Sequence, residues 1–197
     1  TLEEYVSRVV PKRRIKLGKK RLNANRDLLD QVADKYGVQP RFLVAFWGIA
    51  TDFGRLRGGY SIIAAITSLA YEVPRSDFFR RQLMDALQIL EEGHTTSDKM
   101  TGSWAGAMGQ AQFMPSTFRA YAVDFDGDNK IDLWGNKGDV FASAANYLSK
   151  VGWNKEQTWG REIKLPDSFD KPLLGLDTKK ILAEWRQLGG RRLSGTN

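Results

Sequence analysis

The spacing of apolar and polar positions predicts a mainly helical chain. Between residues 25 and 36, apolar side chains recur three and four positions apart, and Gly37 follows as a typical helix end. Pro40 favours the first turn of the next helix, which an aromatic-rich run continues through Ala50. The same spacing predicts helices over residues 25–36, 40–50, 61–71, 75–92, 115–123, 139–150 and 177–188.

The pattern changes after Trp153. Short polar pieces that favour extended structure, such as residues 161–166, replace the helical spacing, and Gly189 and Gly190 close the last predicted helix. We therefore expect a mainly α fold with one helical core over residues 1–153. Residues 154–197 would form a small, incomplete second lobe.

Composition removes several classes of chemistry. The chain has no cysteine, which excludes disulfides, thiolate nucleophiles and cysteine-ligated zinc. Its one histidine, His94, lies in a polar stretch after a helix and is expected to be a plain surface residue, so a Ser-His-Asp triad is not favoured. No apolar run approaches the roughly 18 residues of a membrane span, and no signal peptide or lipid-anchor motif is present.

The net charge of +7 is concentrated at residues 12–16 and 19–21, the basic cluster. Such a cluster suits a polyanion: nucleic acid, an anionic membrane face or a cell-wall polymer that carries carboxylates. A simple solvated basic face is the alternative. Because no aromatic residues alternate with these charges, we do not expect nucleic acid as a partner.

Residues 124–132, the acidic loop, carry the most specific local pattern. Asp124, Asp126 and Asp128 occupy positions 1, 3 and 5 of a calcium-binding loop, and Lys130 at position 7 would offer its backbone carbonyl. Crowding three acids without a cation is unfavourable, although a solvated turn is the alternative. The pattern predicts a structural Ca²⁺ ion in an EF-hand-like loop, and no organic cofactor is expected.

Two positions depart from the EF-hand pattern. Asn129 stands where glycine is usual, and asparagine tolerates the left-handed backbone conformation better than most residues. Gly135 stands where a bidentate glutamate is usual, so the next acid that could complete the ligand shell is Asp139.

Residues 102–116, the small-residue segment, combine glycine and alanine with polar and aromatic side chains. Small residues permit close approach of a ligand or of backbone, and Ser103 and Gln112 offer neutral hydrogen bonds. Aromatic groups between such residues suit sugars, which have apolar faces and hydroxyl-rich edges. A tight loop for helix packing is the equal alternative.

Four ordered motifs resemble the B-type lytic murein transglycosylases. Residues 46–54 are similar to that family's F-W-G-I-E-T-x-F-G, and residues 102–116 to its G-S-x-A-G-A-M-G-x-x-Q-F-M-P-S. Residues 121–125 lead into its EF-hand-like loop, and residues 145–147 resemble its A-N-Y. The resemblance implies a lysozyme-like α+β catalytic core. Family members also have further helical sequence before Thr1 and a closing segment beyond Asn197, so we expect a domain shortened at both ends.

The resemblance also implies roles for individual residues. The family's catalytic glutamate, its acid and base, belongs at the position of Ala50. The matched substrate-binding positions are Ser103, Gln112, Phe113, Tyr147 and Arg75. The matched cation ligands are Asp124, Asp126, Asp128, Lys130 and Asp139, although the family has one fewer residue between the Leu-Trp pair and the last acid.

The implied reaction cleaves the β-1,4 bond between N-acetylmuramic acid (MurNAc) and N-acetylglucosamine (GlcNAc) and closes a 1,6-anhydro ring. It needs one carboxyl group, and Ala50 has none, so we expect an inactive chain that binds glycan. An engineered, substrate-trapping inactivation is favoured over a natural glycan-binding pseudoenzyme. A calcium-stabilised cell-wall binding module is a further alternative.

The resemblance implies a cellular setting as well. The expected partners are peptidoglycan glycan strands, with other cell-wall enzymes as further partners, and the chain is expected to be a monomer. The expected location is the periplasm of a Gram-negative bacterium, in association with the outer membrane.

Overall fold

The computed structural model describes residues 1–71, 75–157, 160, 162–175 and 177–192. The chain divides into two compact units, Thr1–Lys155 and Glu156–Asn197. The helices of the first unit are α1 (Leu2–Val9), α2 (Lys12–Ala24), α3 (Arg26–Tyr36), α4 (Pro40–Thr51), α5 (Ile62–Tyr71), α6 (Ser76–Glu91), α7 (Pro115–Tyr121) and α8 (Lys137–Lys150). This confirms the prediction of a mainly α chain.

Local signals fix several helix ends, two of them at the residues that the sequence predicted. Helix α3 ends at Gly37, whose left-handed conformation (φ 72°) suits a residue without a side chain. Helix α4 begins at Pro40, as predicted. Helix α8 begins two residues earlier than expected because Asn136 caps it, accepting hydrogen bonds from the backbone N–H groups of Gly138 and Asp139.

Helix α8 lies at the centre of the first unit. Its residues from Gly138 to Ala145 are all buried, and it packs against α3, α4 and α7. Its small side chains allow these neighbours to approach closely. Helices α5 and α6 pack together, and α7 packs on α6. The largest fully buried side chains are Phe118, Phe141, Leu29, Leu43, Ile62, Ile66, Ile89, Met100, Met108 and Leu133.

A short antiparallel ladder lies beside the helices. Strand β1 (Tyr60–Ser61) pairs with β2 (Thr101–Gly102), with Tyr60 opposite Gly102. The pairing brings the start of the small-residue segment next to the chain that follows α4. An added Cβ at Gly58 would lie 2.1 Å from the carbonyl oxygen of Gly102, so this approach requires glycine.

The second unit contains a two-stranded ladder of β3 (Ile163–Lys164) and β4 (Arg191–Arg192), a 3₁₀ turn (Lys171–Leu173) and helix α9 (Leu182–Gln187). The predicted helix over residues 177–188 is wrong in extent. The carboxylate of Glu184 accepts a hydrogen bond from the backbone N–H of Ile181 at 2.8 Å, and this cap starts the helix at Leu182. Strand β3 falls within the piece predicted as extended, of which Arg161 lies outside the described residues.

Candidate active site and cation loop

The position predicted to carry the catalytic acid lies at the end of α4. Ala50 is partly buried and is followed by Thr51, the last helical residue. Asp52 and Phe53 then adopt left-handed conformations (φ 50° and 63°) that turn the chain back on the helix. The Phe53 ring lies so close to Gly48 that a Cβ there would be 2.8 Å from the ring. The helix end is therefore fixed by packing that does not involve the side chain at position 50.

Gln110 ties this helix end to the small-residue segment. Its Oε1 accepts a hydrogen bond from Nε1 of Trp47 at 2.9 Å, and its Nε2 donates to the carbonyl oxygen of Trp134 at 2.8 Å. Its own carbonyl oxygen accepts from Oγ1 of Thr51 at 3.0 Å. All three bonds are buried, where hydrogen bonds hold geometry most strongly. Gln110 thus holds the end of α4, which carries position 50, against the segment that carries Gln112.

Gly54 makes room for Gln110. Its backbone is left-handed (φ 79°), and an added Cβ would lie 2.1 Å from Oε1 of Gln110. Its N–H also donates to Oγ1 of Thr51 at 3.1 Å. Glycine is therefore required here by both conformation and space.

Asp52 joins the same helix end to the basic cluster. Its side chain is 1% exposed and forms ion pairs with Arg13 at 3.3 Å, Arg14 at 3.3 Å and Arg55 at 2.6 Å. The hydrogen bonds from Arg55 hold the pKa of Asp52 below its ordinary value, while burial opposes them and Arg13 and Arg14 add to them. The basic cluster is therefore only in part a solvated face, because two of its arginines pair with a buried carboxylate.

Ser103 organises the turn that opens the small-residue segment. Its Oγ accepts hydrogen bonds from the backbone N–H groups of Ala105 at 3.3 Å and Ala107 at 3.0 Å. Its own N–H donates to the carbonyl oxygen of Ala107 at 2.8 Å. Within the described residues, the hydroxyl of Ser103 donates no hydrogen bond to the protein, so its hydrogen is available to a ligand.

Gln112 lies in the same segment with a left-handed backbone (φ 52°). Its Nε2 donates to the carbonyl oxygens of Gly109 at 2.8 Å and Arg57 at 3.1 Å. The next residue, Phe113, is buried, and its ring lies 5.8 Å from that of Tyr147. Two of the predicted glycan-binding aromatic residues are therefore in contact, with Phe113 forming part of the core.

Arg75 makes no hydrogen bond or ion pair with the other predicted site residues within the described ranges. It is exposed at the N-terminal end of α6, with its guanidinium over the rings of Phe78 at 5.3 Å and Phe79 at 5.7 Å. Of the residues before it, 72–74 lie outside the described residues.

The acidic loop brings its three alternating carboxylates together. Oxygen atoms of Asp124, Asp126 and Asp128 lie within 4.8 Å of one another, close enough to share one ion. Burial acts to raise the pKa of Asp124, but hydrogen bonds from the backbone N–H groups of Gly127 and Asn129 outweigh it and hold this pKa below its ordinary value. Asn129 adopts the left-handed conformation expected of its position (φ 67°). Hard oxygen donors in this arrangement fit Ca²⁺.

Asp139 lies outside this group, which differs from the prediction that it completes the ligand shell. Its side chain is fully buried, and its two carboxylate oxygens accept hydrogen bonds from the backbone N–H groups of Phe125 at 2.8 Å and Asp132 at 2.7 Å. Burial raises the pKa of Asp139, and these two donors oppose that shift. Both oxygens are thus engaged in bracing the two sides of the acidic loop.

His94 is not the plain surface residue that the sequence indicated. Its side chain is 18% exposed, and its Nδ1 accepts a hydrogen bond from the backbone N–H of Ile131 at 3.2 Å. Its ring also lies 5.6 Å from that of Phe118. His94 therefore holds the acidic loop against the core, a contact between distant segments that no local pattern could indicate.

Comparison with known proteins identifies the family. The transglycosylase SLT domain matches residues 1–197. The chain belongs to this family. Over 170 residues it is 35% identical to the membrane-bound lytic murein transglycosylase B of Escherichia coli (strain K12), a match that covers 85% of this chain and 46% of that protein.

Solved structures agree with this assignment. The crystal structure of SltB3 from Pseudomonas aeruginosa in complex with NAG-anhNAM-pentapeptide matches with a TM-score of 0.95 at 41% identity, over 100% of this chain and 52% of that one. The structure of Escherichia coli Slt35 in complex with calcium matches with a TM-score of 0.81 at 31% identity, over 96% of this chain and 60% of that one. The SLT domain described here thus has the expected lysozyme-like fold and spans about half the length of the first two relatives.

The relatives support the resemblance to B-type lytic transglycosylases. Within the described part of this SLT domain, no helix is long and apolar enough to cross a membrane.

Gln110 and Asp52 are residues of this site that the sequence did not predict. The signal for Gln110 in the sequence is a polar side chain between the small residues Gly109 and Ala111.

Proposed function

We propose that this SLT domain binds peptidoglycan glycan strands and has the site of a lytic transglycosylase, with position 50 as the place of the acid and base. The observation that carries the proposal is the likeness, at 41% identity, to SltB3 in complex with NAG-anhNAM-pentapeptide. The local geometry supports it, because Gln110 fixes the end of α4 relative to the segment that carries Ser103 and Gln112.

The proposed reaction requires one carboxyl group at position 50. A glutamate there would donate its proton to the glycosidic oxygen as the bond from that oxygen to C1 of MurNAc breaks, so that GlcNAc leaves with a hydroxyl group. The carboxylate would then take the proton of the MurNAc 6-hydroxyl while the oxygen of that hydroxyl forms a bond to C1. The products are a shortened glycan and a 1,6-anhydro ring, with no water consumed. General acid–base catalysis of this kind contributes about 10²- to 10⁴-fold.

Ala50 cannot perform either proton transfer. Alanine is the best helix former, and the contacts that fix the helix end belong to other residues, so the site keeps its shape. The chain is therefore proposed to bind glycan without cutting it. This expectation holds for an engineered inactivation and for a natural pseudoenzyme alike.

Restoring the acid tests this proposal. The parent chain, Ala50→Glu and Ala50→Gln are compared for release of 1,6-anhydro products from purified peptidoglycan. We expect release by Ala50→Glu at least about 10²-fold above the parent. The Gln variant fills about the same volume but has no acidic proton to transfer, so its product release should stay at the parent level. An Ala50→Glu chain that folds and binds glycan but releases no anhydro product would overturn the catalytic assignment.

We also propose that Asp124, Asp126, Asp128 and the carbonyl of Lys130 hold a structural Ca²⁺ ion. The proximity of the three carboxylates supports this, and the relative Slt35 was crystallised with calcium. The hydrogen bonds of Asp139 support assigning it to the loop's frame, and no organic cofactor is needed. A module whose only function is calcium-stabilised binding would share this site, and the Ala50→Glu assay distinguishes the two.

The proposed setting is the bacterial cell wall. A relative is named as membrane-bound, which supports action in the periplasm near the outer membrane. The net charge of +7 complements the carboxylates of peptidoglycan, and nucleic acid is not proposed as a partner. We propose that the chain acts as a monomer, with other cell-wall enzymes as further partners.

A further inference from the structure

Trp104 differs from the other tryptophans of the described chain. Trp104 is 65% exposed to solvent. Four other tryptophans each lie against an aromatic ring, at centroid distances of 5.6, 6.5, 4.7 and 6.1 Å: Trp47, Trp134, Trp153 and Trp185. Among the described residues, Trp104 has no such ring contact and its indole has no hydrogen-bond partner. A large apolar surface is thus left in solvent, which is unfavourable unless something covers it.

The turn that carries Trp104 is rigid. The hydroxyl oxygen of Ser103 accepts hydrogen bonds from the residues on both sides of Gly106, and the N–H of Gly106 donates to the carbonyl oxygen of Ser103 at 3.1 Å. Gly106 is buried with a left-handed backbone (φ 95°), and a Cβ there would lie 2.8 Å from the side chain of Ile66. The backbone under Trp104 therefore has little freedom to fold the indole back onto the protein.

Trp104 also follows directly after Ser103, one of the residues assigned to glycan binding. An exposed indole on a rigid turn, next to a hydroxyl that is free to donate, suits a pyranose ring, whose axial C–H groups form an apolar face and whose edge carries hydroxyl and acetamido groups. Because a tryptophan side chain has only two rotatable bonds, covering it costs little conformational entropy.

We propose that Trp104 is a sugar-stacking residue that binds one N-acetylated ring of the glycan strand beside the ring that Ser103 contacts. This inference rests on the proposed function and adds to it a determinant of glycan affinity. It requires no chemical step, since the indole contributes contact area and orientation only.

The test measures binding by the 197-residue chain, which retains Ala50 and leaves the ligand intact. Calorimetric titration uses a β-1,4-linked tetrasaccharide of alternating GlcNAc and MurNAc, with Trp104→Ala, Trp104→Phe and the parent. Tyr5→Ala is the matched control, because Tyr5 is 63% exposed on α1. We expect Trp104→Ala to raise the Kd about tenfold, and Trp104→Phe to raise it less. Tyr5→Ala should leave it unchanged, and melting temperatures should stay equal because both side chains are exposed.

Each outcome decides the matter. If the parent binds the tetrasaccharide and Trp104→Ala binds it equally well, the stacking role is wrong while the proposed function stands. If Tyr5→Ala weakens binding as much as Trp104→Ala, the effect is not local to the turn and the inference is also wrong. If the parent shows no binding at all, the proposed function and this inference fail together.

Discussion

The indole Nε1 of Trp47 donates a hydrogen bond to Oε1 of Gln110 at 2.9 Å, joining helix α4 to the small-residue segment. The same glutamine amide donates to the carbonyl oxygen of Trp134. One buried side chain thus connects three parts of the chain that are distant in sequence. The relative placement of position 50 and Gln112 depends on this connection.

Gln110→Leu should destabilise the fold. Leucine fills a similar volume but leaves the buried Trp47 indole N–H without a partner, at a cost of about 2 kcal/mol. The Trp134 carbonyl loses one of its two donors and keeps the hydrogen bond from Arg57. Urea unfolding measures the change, with Gln187→Leu at an exposed position of α9 as the control. Equal stabilities of the parent and Gln110→Leu would show that the two hydrogen bonds of the Gln110 side chain contribute nothing.

Gly54→Ala should be more harmful than a glycine replacement of equal backbone strain. Gly93 provides the comparison, because its φ of 78° matches the 79° of Gly54 but a Cβ at Gly93 meets nothing within 4 Å. We expect Gly93→Ala to cost about 1 kcal/mol, from its left-handed backbone alone. Gly54→Ala should cost at least about 1 kcal/mol more, from the clash with Gln110. Thermal unfolding of both variants measures the difference, and equal losses would contradict the steric argument.

Asp52→Asn should make stability less dependent on acid pH. The pKa of Asp52 is lowered in the fold, chiefly by Arg55, so its stabilisation is present above the unfolded-state pKa and is lost as pH falls through the folded-state value. We therefore expect a loss of about 2 kcal/mol at pH 7 that shrinks progressively below about pH 4.

Chemical unfolding from pH 2 to pH 7 checks this expectation. Asp77→Asn is the control, because Asp77 pairs with Arg80 at the same sequence separation but its side chain is 82% exposed. The control should change stability little at any pH, since exposed ion pairs contribute about 0–1 kcal/mol. A pH-independent loss in Asp52→Asn would contradict an electrostatic origin.

Ca²⁺ should stabilise the parent chain through the acidic loop. At a hundredfold excess over Kd, binding to the folded state alone adds about 2.7 kcal/mol, which thermal unfolding with and without chelator measures. Asp124→Asn should abolish most of this shift, whereas Asp30→Asn, an equal charge change at an exposed site on α3, should retain it. An undiminished shift in Asp124→Asn would place the ion elsewhere.

Features determined by near neighbours could be predicted from the sequence. The spacing of apolar residues gives most helices, and Gly37 and Pro40 mark their ends because each restricts the local backbone. The extent of α9 could not be predicted in this way, since a single hydrogen bond from Ile181 to Glu184 decides where it begins. Helical spacing alone does not distinguish between such starts.

Features determined by tertiary contact were beyond prediction from local pattern. The alternation of Asp124, Asp126 and Asp128 indicates from sequence alone that their carboxylates lie together, and the structure has them within 4.8 Å of one another. The sequence could not show that Asp139 turns both oxygens to backbone N–H groups, or that His94 accepts from Ile131. Nor could it show that Asp52 gathers three arginines, two of them from α2.

Hydrogen bonds among Trp47, Thr51, Gly54 and Gln110 hold the end of α4. None of these bonds involves the side chain at position 50. The position proposed to carry the chemistry is thus distinct from the residues that fix the helix end. Side chains of good helix propensity, such as glutamate and glutamine, should accordingly be accommodated at position 50 with little change in the fold. Under the proposed function, the reactive group at position 50 can therefore be exchanged while the residues that shape the site stay unchanged.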